Sequence, residues 1–364
     1  MNYDAILLTT FGGPESEEEV MPFLERVTAG RGVPRERLEE VSHHYFALGG
    51  VSPINEQSRN FLSCLREEFI KRGIETPIYW GCRNSHPFMA EALQQIHADG
   101  HRRVLSFVSS AYSSYSGCRQ YRENLAQALL DTGLDGILTI DKVRHYFDHP
   151  GFIAPFAREL TQALETLQKN GVSASQTHIF FTTHSIPISM AESAGPENLR
   201  DTFQDGAYVA EHNAAAICIL DEVRKGFGRD IPDWSLVYQS RSGAPHIPWL
   251  EPDIGDALKS AAESGVLAVI VVPIGFISDH VEVIWDLDHE AKELADKLGL
   301  QFLRVETPGT SPEFISGVVD LILERQTESE KKALSPIGPW PDFCTPGCCP
   351  NPRKELPTVA QASN

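Results

Sequence analysis

The sequence predicts an α/β fold with parallel sheets, arranged in two domains. Short apolar runs alternate with amphipathic stretches along most of the chain, and the same alternation occurs in both halves. Strands that alternate with helices are typical of parallel sheets with crossover helices. The most apolar strand, within residues 266–276, is nearly uninterrupted, as expected of a strand buried on both faces.

The first half contains three predicted strands joined by helix-like stretches. A strand is predicted where a short apolar run ends at Gly, Pro or a polar loop. These strands are residues 5–11, 77–82 and 102–110. Residues 17–27 and 87–100 have a helical pattern, and the second of these stretches ends at Gly100.

The second half repeats this plan, with a helix-like stretch at about 279–298. Its predicted strands are residues 177–185, 234–240, 266–276 and 301–307. The boundary between the halves is predicted near residues 148–159, which gives domains of residues 1–155 and 156–327. Residues 328–364 form a Pro- and Cys-rich tail without helical or strand periodicity, so an external link is needed to order it.

Length and composition fit a globular protein of about two domains. The chain has 364 residues, of which 41% are hydrophobic and 22% charged, and domains usually have about 100–200 residues.

Its 31 Lys and Arg and its 50 Asp and Glu give a net charge of −19. This charge argues against nucleic acid and anionic lipid as partners. No apolar run reaches the roughly 20 residues of a membrane span, and the N-terminus lacks a signal-peptide pattern.

Seven cysteines favour a reduced, cytoplasmic protein, because their number is odd and four of them are scattered. The other three, Cys344, Cys348 and Cys349, fall within six residues. Iron–sulfur clusters and structural zinc usually take four protein ligands, and Cys118 is the best candidate for the fourth because its loop follows a predicted strand. Zinc and a [2Fe–2S] cluster both remain open. No His accompanies the cysteines in the sequence, which slightly favours ligation by thiolates alone.

A ligand site is expected where the two domains meet, because ligands of open α/β sheets bind at the carboxyl ends of strands. Four polar clusters lie at such ends: Thr10–Pro14, Ser109–Tyr121, Thr183–Pro187 and Ile274–Glu282. Residues 43–57 add apolar side chains around a Gly-Gly and Ser-Pro loop. This stretch suits a flat hydrophobic ligand, an interdomain lid or a core contact.

His184 and an acidic row after the most apolar strand are candidates for metal binding and proton transfer. His184 ends a buried strand, and a neutral imidazole accepts protons or binds metals near neutral pH. Glu282, Asp286 and Glu290 are spaced by four and share one face of a helix, where carboxylates repel one another unless a cation is nearby. The alternatives are a His bonded to a neighbouring loop and a solvated acidic face.

Five motifs, spread over both halves, together resemble those of the ferrochelatases. They are FGGP at 11–14, GGVSPIN at 49–55, SSYSGCRQY at 113–121, THSIP at 183–187 and PIGFISDHVEV at 273–283. The sequence is most similar to the actinobacterial type, which carries a C-terminal [2Fe–2S] cluster and generally acts on coproporphyrin III. The resemblance implies two Rossmann-like domains with a porphyrin cleft between them, and insertion of Fe²⁺ into a porphyrin with release of two protons.

The resemblance also implies roles for individual residues. His184 and Glu282 match the pair that handles the metal and the pyrrole protons, and we expect them to face each other across the porphyrin. Asp286 and Glu290 match an acidic row that delivers iron or removes protons. Phe11 stands where cluster-free relatives have a tyrosine, which excludes metal ligation from this position.

The matching porphyrin positions are Phe11, Ser52, Tyr121 and, in an adjoining loop, His44 and Tyr45; the matching cluster ligands are Cys118, Cys344, Cys348 and Cys349. The implied partners are a porphyrin, ferrous iron and a haem-pathway enzyme that accepts the product. The alternatives are a ferrochelatase for protoporphyrin IX, a cobalt chelatase, a non-catalytic carrier of haem or iron, and a cluster-based redox sensor.

Overall fold

Two parallel sheets organise the protein. The computed structural model describes residues 2–228, 230–242, 246–327 and 329–361. Its strands are β1 (Ala5–Thr10), β2 (Ile78–Cys82), β3 (Arg103–Val108), β4 (Thr139–Lys142), β5 (Thr177–His184), β6 (Asp233–Gln239), β7 (Ala268–Val272) and β8 (Gln301–Arg304). The first sheet has the order β2-β1-β3-β4 and the second the order β6-β5-β7-β8. The predicted α/β architecture with parallel sheets is therefore confirmed.

Helices cover both sheets. They are α1 (Glu17–Val27), α2 (Arg35–Ala47), α3 (Ile54–Lys71), α4 (Met89–Ala98), α5 (Gln120–Thr132), α6 (Pro150–Lys169), α7 (Ile188–Glu192), α8 (Gly206–Phe227), α9 (Ile254–Glu263), α10 (Val281–Val283), α11 (Lys292–Lys297) and α12 (Pro312–Thr327). Between α10 and α11 the chain forms a π-helix, Ile284–Ala291, without interruption. We call this continuous unit of α10, the π-helix and α11 the acidic helix. Shorter π and 3₁₀ turns lie at Tyr115–Arg119, Ala174–Gln176 and Glu197–Thr202.

The predicted strands are all present, several of them shorter than predicted, and there is one additional strand. β7 ends at Val272, earlier than predicted, because Pro273 has no N–H to donate to a neighbouring strand. β4 is not predicted, because its four residues, TIDK, include one apolar side chain and lie at the edge of the sheet. The prediction that His44 and Tyr45 lie in a loop is wrong: both are on α2, and the loop starts after Ala47.

β7 shows why its sequence is so apolar. Ile270 and Val272 pack into the large core that also contains residues of α6, α8 and α12. Val269 and Val271, on the opposite face, pack into a separate core with residues of α9 and the acidic helix. Both faces of this strand are buried, so neither face tolerates polar residues.

The two halves share one core. It includes Ile6 and Leu105 from the first sheet together with Ile179 and Ile270 from the second. α6 connects the two sheets and contains the predicted boundary between residues 155 and 156, so the division into two domains at this position stays a prediction. After the last strand, α12 returns to the first half and packs against α3 and α6.

The C-terminal tail is held by contacts with the first half. The indole N–H of Trp340 donates to the Ser113 hydroxyl at 3.1 Å, and the Arg119 guanidinium donates to the carbonyl oxygen of Pro346 at 2.6 Å. Arg122 donates to the carbonyl oxygen of Val359 at 2.8 Å. These links order a segment that has no helix within residues 329–361.

None of the helices in the described ranges combines the length and apolar composition needed to cross a membrane.

Phe314 offers a test of this shared core. The α12 side chain is buried, and its ring lies 5.7 Å from Phe61, 6.1 Å from Tyr146 and 5.8 Å from Phe152 (centroid distances). Phe314→Ala should lower the free energy of unfolding by about 3–5 kcal/mol, because it leaves a cavity. Denaturant unfolding followed by circular dichroism measures this change.

Ile70→Ala is the matched control. Ile70 lies on α3 but is 78% exposed, so its removal should change the free energy of unfolding by no more than about 0.5 kcal/mol. If Phe314→Ala lowered the free energy of unfolding as little as Ile70→Ala does, Phe314 of α12 would contribute no core packing.

Candidate active site

His184 is the last residue of β5, and its neighbours fix the orientation of its ring. Its Nδ1–H donates to the carbonyl oxygen of Ser185 at 2.5 Å. The Tyr208 hydroxyl donates to the carbonyl oxygen of His184 at 2.8 Å. Because Nδ1 carries the proton of the neutral ring, Nε2 has a free lone pair. The exposed fraction of the side chain is 33%, so the ring is partly open to a ligand.

Glu282 reaches His184 from the start of the acidic helix. β5 and β7 are neighbours in the second sheet, so the segments that follow them lie side by side. The distance between His184 Nε2 and Glu282 Oε2 is 3.8 Å. The structure therefore brings together an imidazole and a carboxylate that are far apart in the sequence, both partly open to solvent.

This distance bears on how the two side chains would meet a porphyrin. A flat macrocycle placed between two side chains needs van der Waals contact on each face, or roughly 7 Å in total, since non-bonded carbon atoms approach to about 3.5–4.0 Å. His184 Nε2 and Glu282 Oε2 are 3.8 Å apart, which leaves no room in this arrangement for the porphyrin expected between them. Both side chains can instead contact the same face of a flat ligand.

Asp286 lies one turn further along the acidic helix and titrates near neutral pH. Burial raises the pKa of Asp286 to about 7; hydrogen bonds from Ser240 and Gln239 oppose the shift, while the charges of Glu282 and Glu290 add to it. Ser240 Oγ donates to Asp286 Oδ2, and Gln239 Nε2 lies 3.4 Å from the same oxygen. A carboxyl group with this pKa can both accept and release protons at neutral pH.

Glu290 ends the acidic row on the exposed side of the π-helix. Its carboxylate accepts a hydrogen bond from the indole N–H of Trp285 at 2.9 Å. The loop before the acidic helix is fixed separately, because Arg304 pairs with Asp279 at 2.9 Å and with Asp288 at 2.7 Å. Asp279 and Asp288 are thus held by a cation, whereas Glu282, Asp286 and Glu290 form the row predicted from their spacing.

The first half contributes an aromatic wall. The guanidinium of Arg83 lies 5.3 Å from the ring of Phe11 and 4.5 Å from the ring of Tyr121, so these two predicted residues share one neighbour. Phe11 also contacts Phe23, with 6.2 Å between ring centroids, and Phe23 contacts Tyr45 at 5.8 Å. Phe11 and Tyr45 therefore belong to one cluster, whereas the buried Tyr121 packs in a separate core and is linked to Phe11 through Arg83.

Ser52 and His44 join this wall to its surroundings. Ser52 is buried, and it packs so tightly against Gly13 that a Cβ at Gly13 would lie 2.6 Å from the Ser52 Cβ. His44 stacks on Trp285 of the acidic helix, with ring centroids 4.3 Å apart and planes inclined by 10°. Val281, next to Glu282, packs with Phe23 and Tyr45. The wall and the acidic helix are therefore in direct contact.

Three arginines near the wall are not predicted from the sequence. Arg83 lies between Phe11 and Tyr121 as described, and Arg353 of the tail lies beside the hydroxyl of Tyr115. Partial burial and the positive charges of Arg353 and Arg83 lower the pKa of Arg31. These arginines come from three distant segments, so no sequence motif marks them. They form a local cationic region in a protein of net charge −19.

The four cysteines predicted to bind a cluster are buried, and none forms a disulfide: Cys118, Cys344, Cys348 and Cys349. The Sγ atoms of Cys348 and Cys349 are 3.8 Å apart, and Cys344 hydrogen-bonds to both Cys118 and Cys348. The backbone N–H of Gly195 donates to Cys349 Sγ at 3.2 Å. Sulfur donors of this number suit zinc or an iron–sulfur cluster.

A histidine lies beside these cysteines in the fold, although none lies next to them in the sequence. His145 Nε2 lies 3.2 Å from Cys118 Sγ, and burial lowers the pKa of His145 to about 4. Within the described ranges, no three or more His, Cys, Asp or Glu side chains are arranged to hold a single metal ion. A two-iron cluster spreads its four ligands over two metals, so the donor chemistry fits such a cluster although its ligand geometry is not formed here.

Comparison with known proteins identifies the family of this chain. The ferrochelatase family profile matches residues 3–326, a range that ends before the cysteines of the tail. The coproporphyrin III ferrochelatase of Streptomyces griseus is 50% identical, covering 100% of this chain and 97% of that protein. The coproporphyrin III ferrochelatase of Leifsonia xyli is 48% identical, covering 96% and 92%.

A solved structure, the sirohydrochlorin chelatase SirB from Bacillus subtilis in complex with cobalt, is 10% identical with a TM-score of 0.48, over 90% of this chain and 97% of that one. The profile match and the identities over nearly the whole length are decisive: the chain belongs to the ferrochelatase family.

Proposed function

We propose that this protein inserts Fe²⁺ into coproporphyrin III, forming coproheme and releasing two protons, as a step of haem biosynthesis. The observation that carries the proposal is the 3.8 Å contact between His184 Nε2 and Glu282 Oε2, with Asp286 one turn behind. The names of relatives at 48–50% identity support the choice of substrate. The insertion is redox-neutral, because the iron enters as Fe²⁺ and the two pyrrole nitrogens lose only protons.

His184 is the proposed acceptor of a pyrrole proton. Its Nε2 lone pair is free because Nδ1–H is engaged by Ser185. Glu282, at 3.8 Å, would stabilise the imidazolium that forms and would share the incoming metal on the same face. General-base assistance of this kind typically contributes about 10²–10⁴-fold to a rate.

The acidic row is the proposed route for iron and protons. Fe²⁺ must lose water before insertion, and carboxylates can replace its water ligands one at a time. Asp286 is suited to exchange protons with solvent, since burial raises its pKa to about 7. Glu290 lies toward the exposed end of the row, beside Trp285, where iron would arrive and protons would leave.

The aromatic wall and the arginines are the proposed porphyrin site. Phe11, Tyr45 and Tyr121 supply the apolar side chains, of which Tyr45 and Tyr121 are buried, with Ser52 and His44 beside them. Binding energy from such remote parts of a ligand can be used to bend the macrocycle and expose nitrogen lone pairs on one face. Coproporphyrin carries four propionates, and Arg31, Arg83 and Arg353 offer positive charge to them.

The four thiols are the proposed ligands of a [2Fe–2S] cluster: Cys118, Cys344, Cys348 and Cys349. The support is their burial, their free thiols and their closeness to one another, with His145 beside Cys118. A cluster there would supply a covalent link between the tail and the Tyr115–Arg119 turn. It would take no part in iron insertion, because that reaction transfers no electrons.

The proposed cellular location and partner rest on the chemistry of the cysteines and of the product. The odd number of free cysteines favours a reducing, cytoplasmic setting. The product is a haem-like molecule of low solubility, so a later enzyme of haem biosynthesis is the proposed recipient.

Anaerobic kinetics with ferrous iron test the proposed function. The protein should convert coproporphyrin III with a higher kcat/KM than protoporphyrin IX, because protoporphyrin has two vinyl groups in place of two propionates. His184→Ala should abolish iron insertion while circular dichroism and thermal unfolding stay unchanged. The loss of the porphyrin fluorescence and the rise of product absorbance measure turnover.

Three results would contradict this function. Near-normal turnover by a folded His184→Ala variant would remove His184 from the mechanism. A preference for protoporphyrin IX would overturn the substrate assignment. Binding of porphyrin and iron without multiple turnovers would identify a carrier rather than an enzyme.

The thiol site has its own test. Protein purified under anaerobic conditions should be reddish and contain two iron and two sulfide per chain, as roughly expected for one [2Fe–2S] cluster. Cys348→Ser should remove the visible absorption, whereas Cys64→Ser should retain it because Cys64 is a partly exposed thiol on α3. Stoichiometric zinc without sulfide would overturn the cluster and leave the chelatase function untouched.

A further inference from the structure

The end of β6 contacts both parts of the proposed metal site. Gln239, the last residue of this strand, pairs with His184 in the register of the sheet. Its carbonyl oxygen accepts a hydrogen bond from the N–H of Ser185 at 2.8 Å. Its side-chain amide, which is buried, lies 3.4 Å from Asp286 Oδ2. One residue thus touches the His184 segment through its backbone and the acidic row through its side chain.

Ser240 follows directly and binds the same carboxylate oxygen. Its hydroxyl donates to Asp286 Oδ2. Side chains of successive strand residues point to opposite faces, so Gln239 and Ser240 could not both reach Asp286 in a continuing strand. Ser240 breaks the strand with a φ of +62°, in the left-handed region that is uncommon for residues other than Gly.

This backbone conformation is an independent sign of function. Left-handed residues other than Gly persist where the surrounding structure imposes them, and they concentrate at functional sites. At Ser240 the conformation has a clear result, because it places the hydroxyl beside Asp286. Both donors to Asp286 are neutral, so they orient the carboxylate without cancelling its negative charge. Asp279 differs, since it pairs with the cation Arg304.

We propose that Ser240 and Gln239 are positioning residues for iron transfer, which hold the Asp286 carboxylate so that it passes Fe²⁺ toward His184 and Glu282. This inference rests on the proposed route of iron along the acidic row. Because neither residue contacts the metal or the porphyrin in this role, they act through Asp286. Their loss affects the capture of iron and leaves the binding of the porphyrin intact.

Steady-state kinetics with the two substrates varied separately test the inference. Ser240→Ala should raise the KM for Fe²⁺ about tenfold, as expected when a carboxylate loses one hydrogen bond, and should leave the KM for coproporphyrin unchanged. Ser240→Asn should restore most of the lost iron affinity, because Asn tolerates left-handed φ and supplies an N–H donor. Ser240→Gly should behave like Ser240→Ala, because the donor is absent although the backbone is relaxed.

Ser235→Ala is the matched control. Ser235 lies on the same strand, but its hydroxyl bonds to His178 at 3.0 Å, away from Asp286. Both KM values should stay at the wild-type level in this variant. Thermal unfolding of every variant shows whether a kinetic change reflects loss of fold.

Asp286→Asn separates the failure of this inference from that of the proposed iron route. An unchanged KM for Fe²⁺ in Asp286→Asn would overturn the route through Asp286, and the positioning role with it. A raised KM in Asp286→Asn with normal iron kinetics in Ser240→Ala would overturn the positioning role alone. Equal increases of both KM values in Ser240→Ala would indicate a general structural role and would also overturn it.

Discussion

The contact between His184 and Glu282 is the constraint on which the site depends. It exists because β5 and β7 are adjacent parallel strands whose carboxyl ends lie at the same edge of the sheet. The turn after β7 must pass directly over β5, and Gly275 makes this possible: a Cβ there would lie 2.2 Å from Thr183 Oγ1. A larger residue at Gly275 would push the acidic helix away from the imidazole. The position of one glycine therefore governs the geometry of the proposed proton and metal chemistry.

The two halves of the protein have different tasks around this contact. The second half holds the imidazole, the acidic row and the β6 end that orients it. The first half supplies the aromatic wall and two of the arginines. The halves meet where Val281 packs into the core of α1 and α2 and where His44 stacks on Trp285. In the proposed function, a flat ligand is held by one half while the other half acts on a single face of it.

Much of this arrangement follows from the sequence, and the exceptions have a common cause. Hydrophobic periodicity predicts the main strands, and spacing by four predicts the acidic row, because both depend on local chain geometry. The four cysteines are close in the fold as the resemblance implies. Arg31, Arg83, His145 and Ser240 are not predicted, since their roles depend on which distant segments they meet. For the same reason the sequence does not predict the 3.8 Å contact between His184 and Glu282, because it does not state on which side of a ligand two groups lie.

We propose that His184 and Glu282 act from one face of the porphyrin. A crystal structure of the protein with metal-free coproporphyrin III bound tests this claim most directly. We expect His184 Nε2 and the Glu282 carboxylate to lie on the same side of the macrocycle, above its pyrrole nitrogens. A macrocycle lying between the two side chains, or bound where neither reaches its nitrogens, would contradict it.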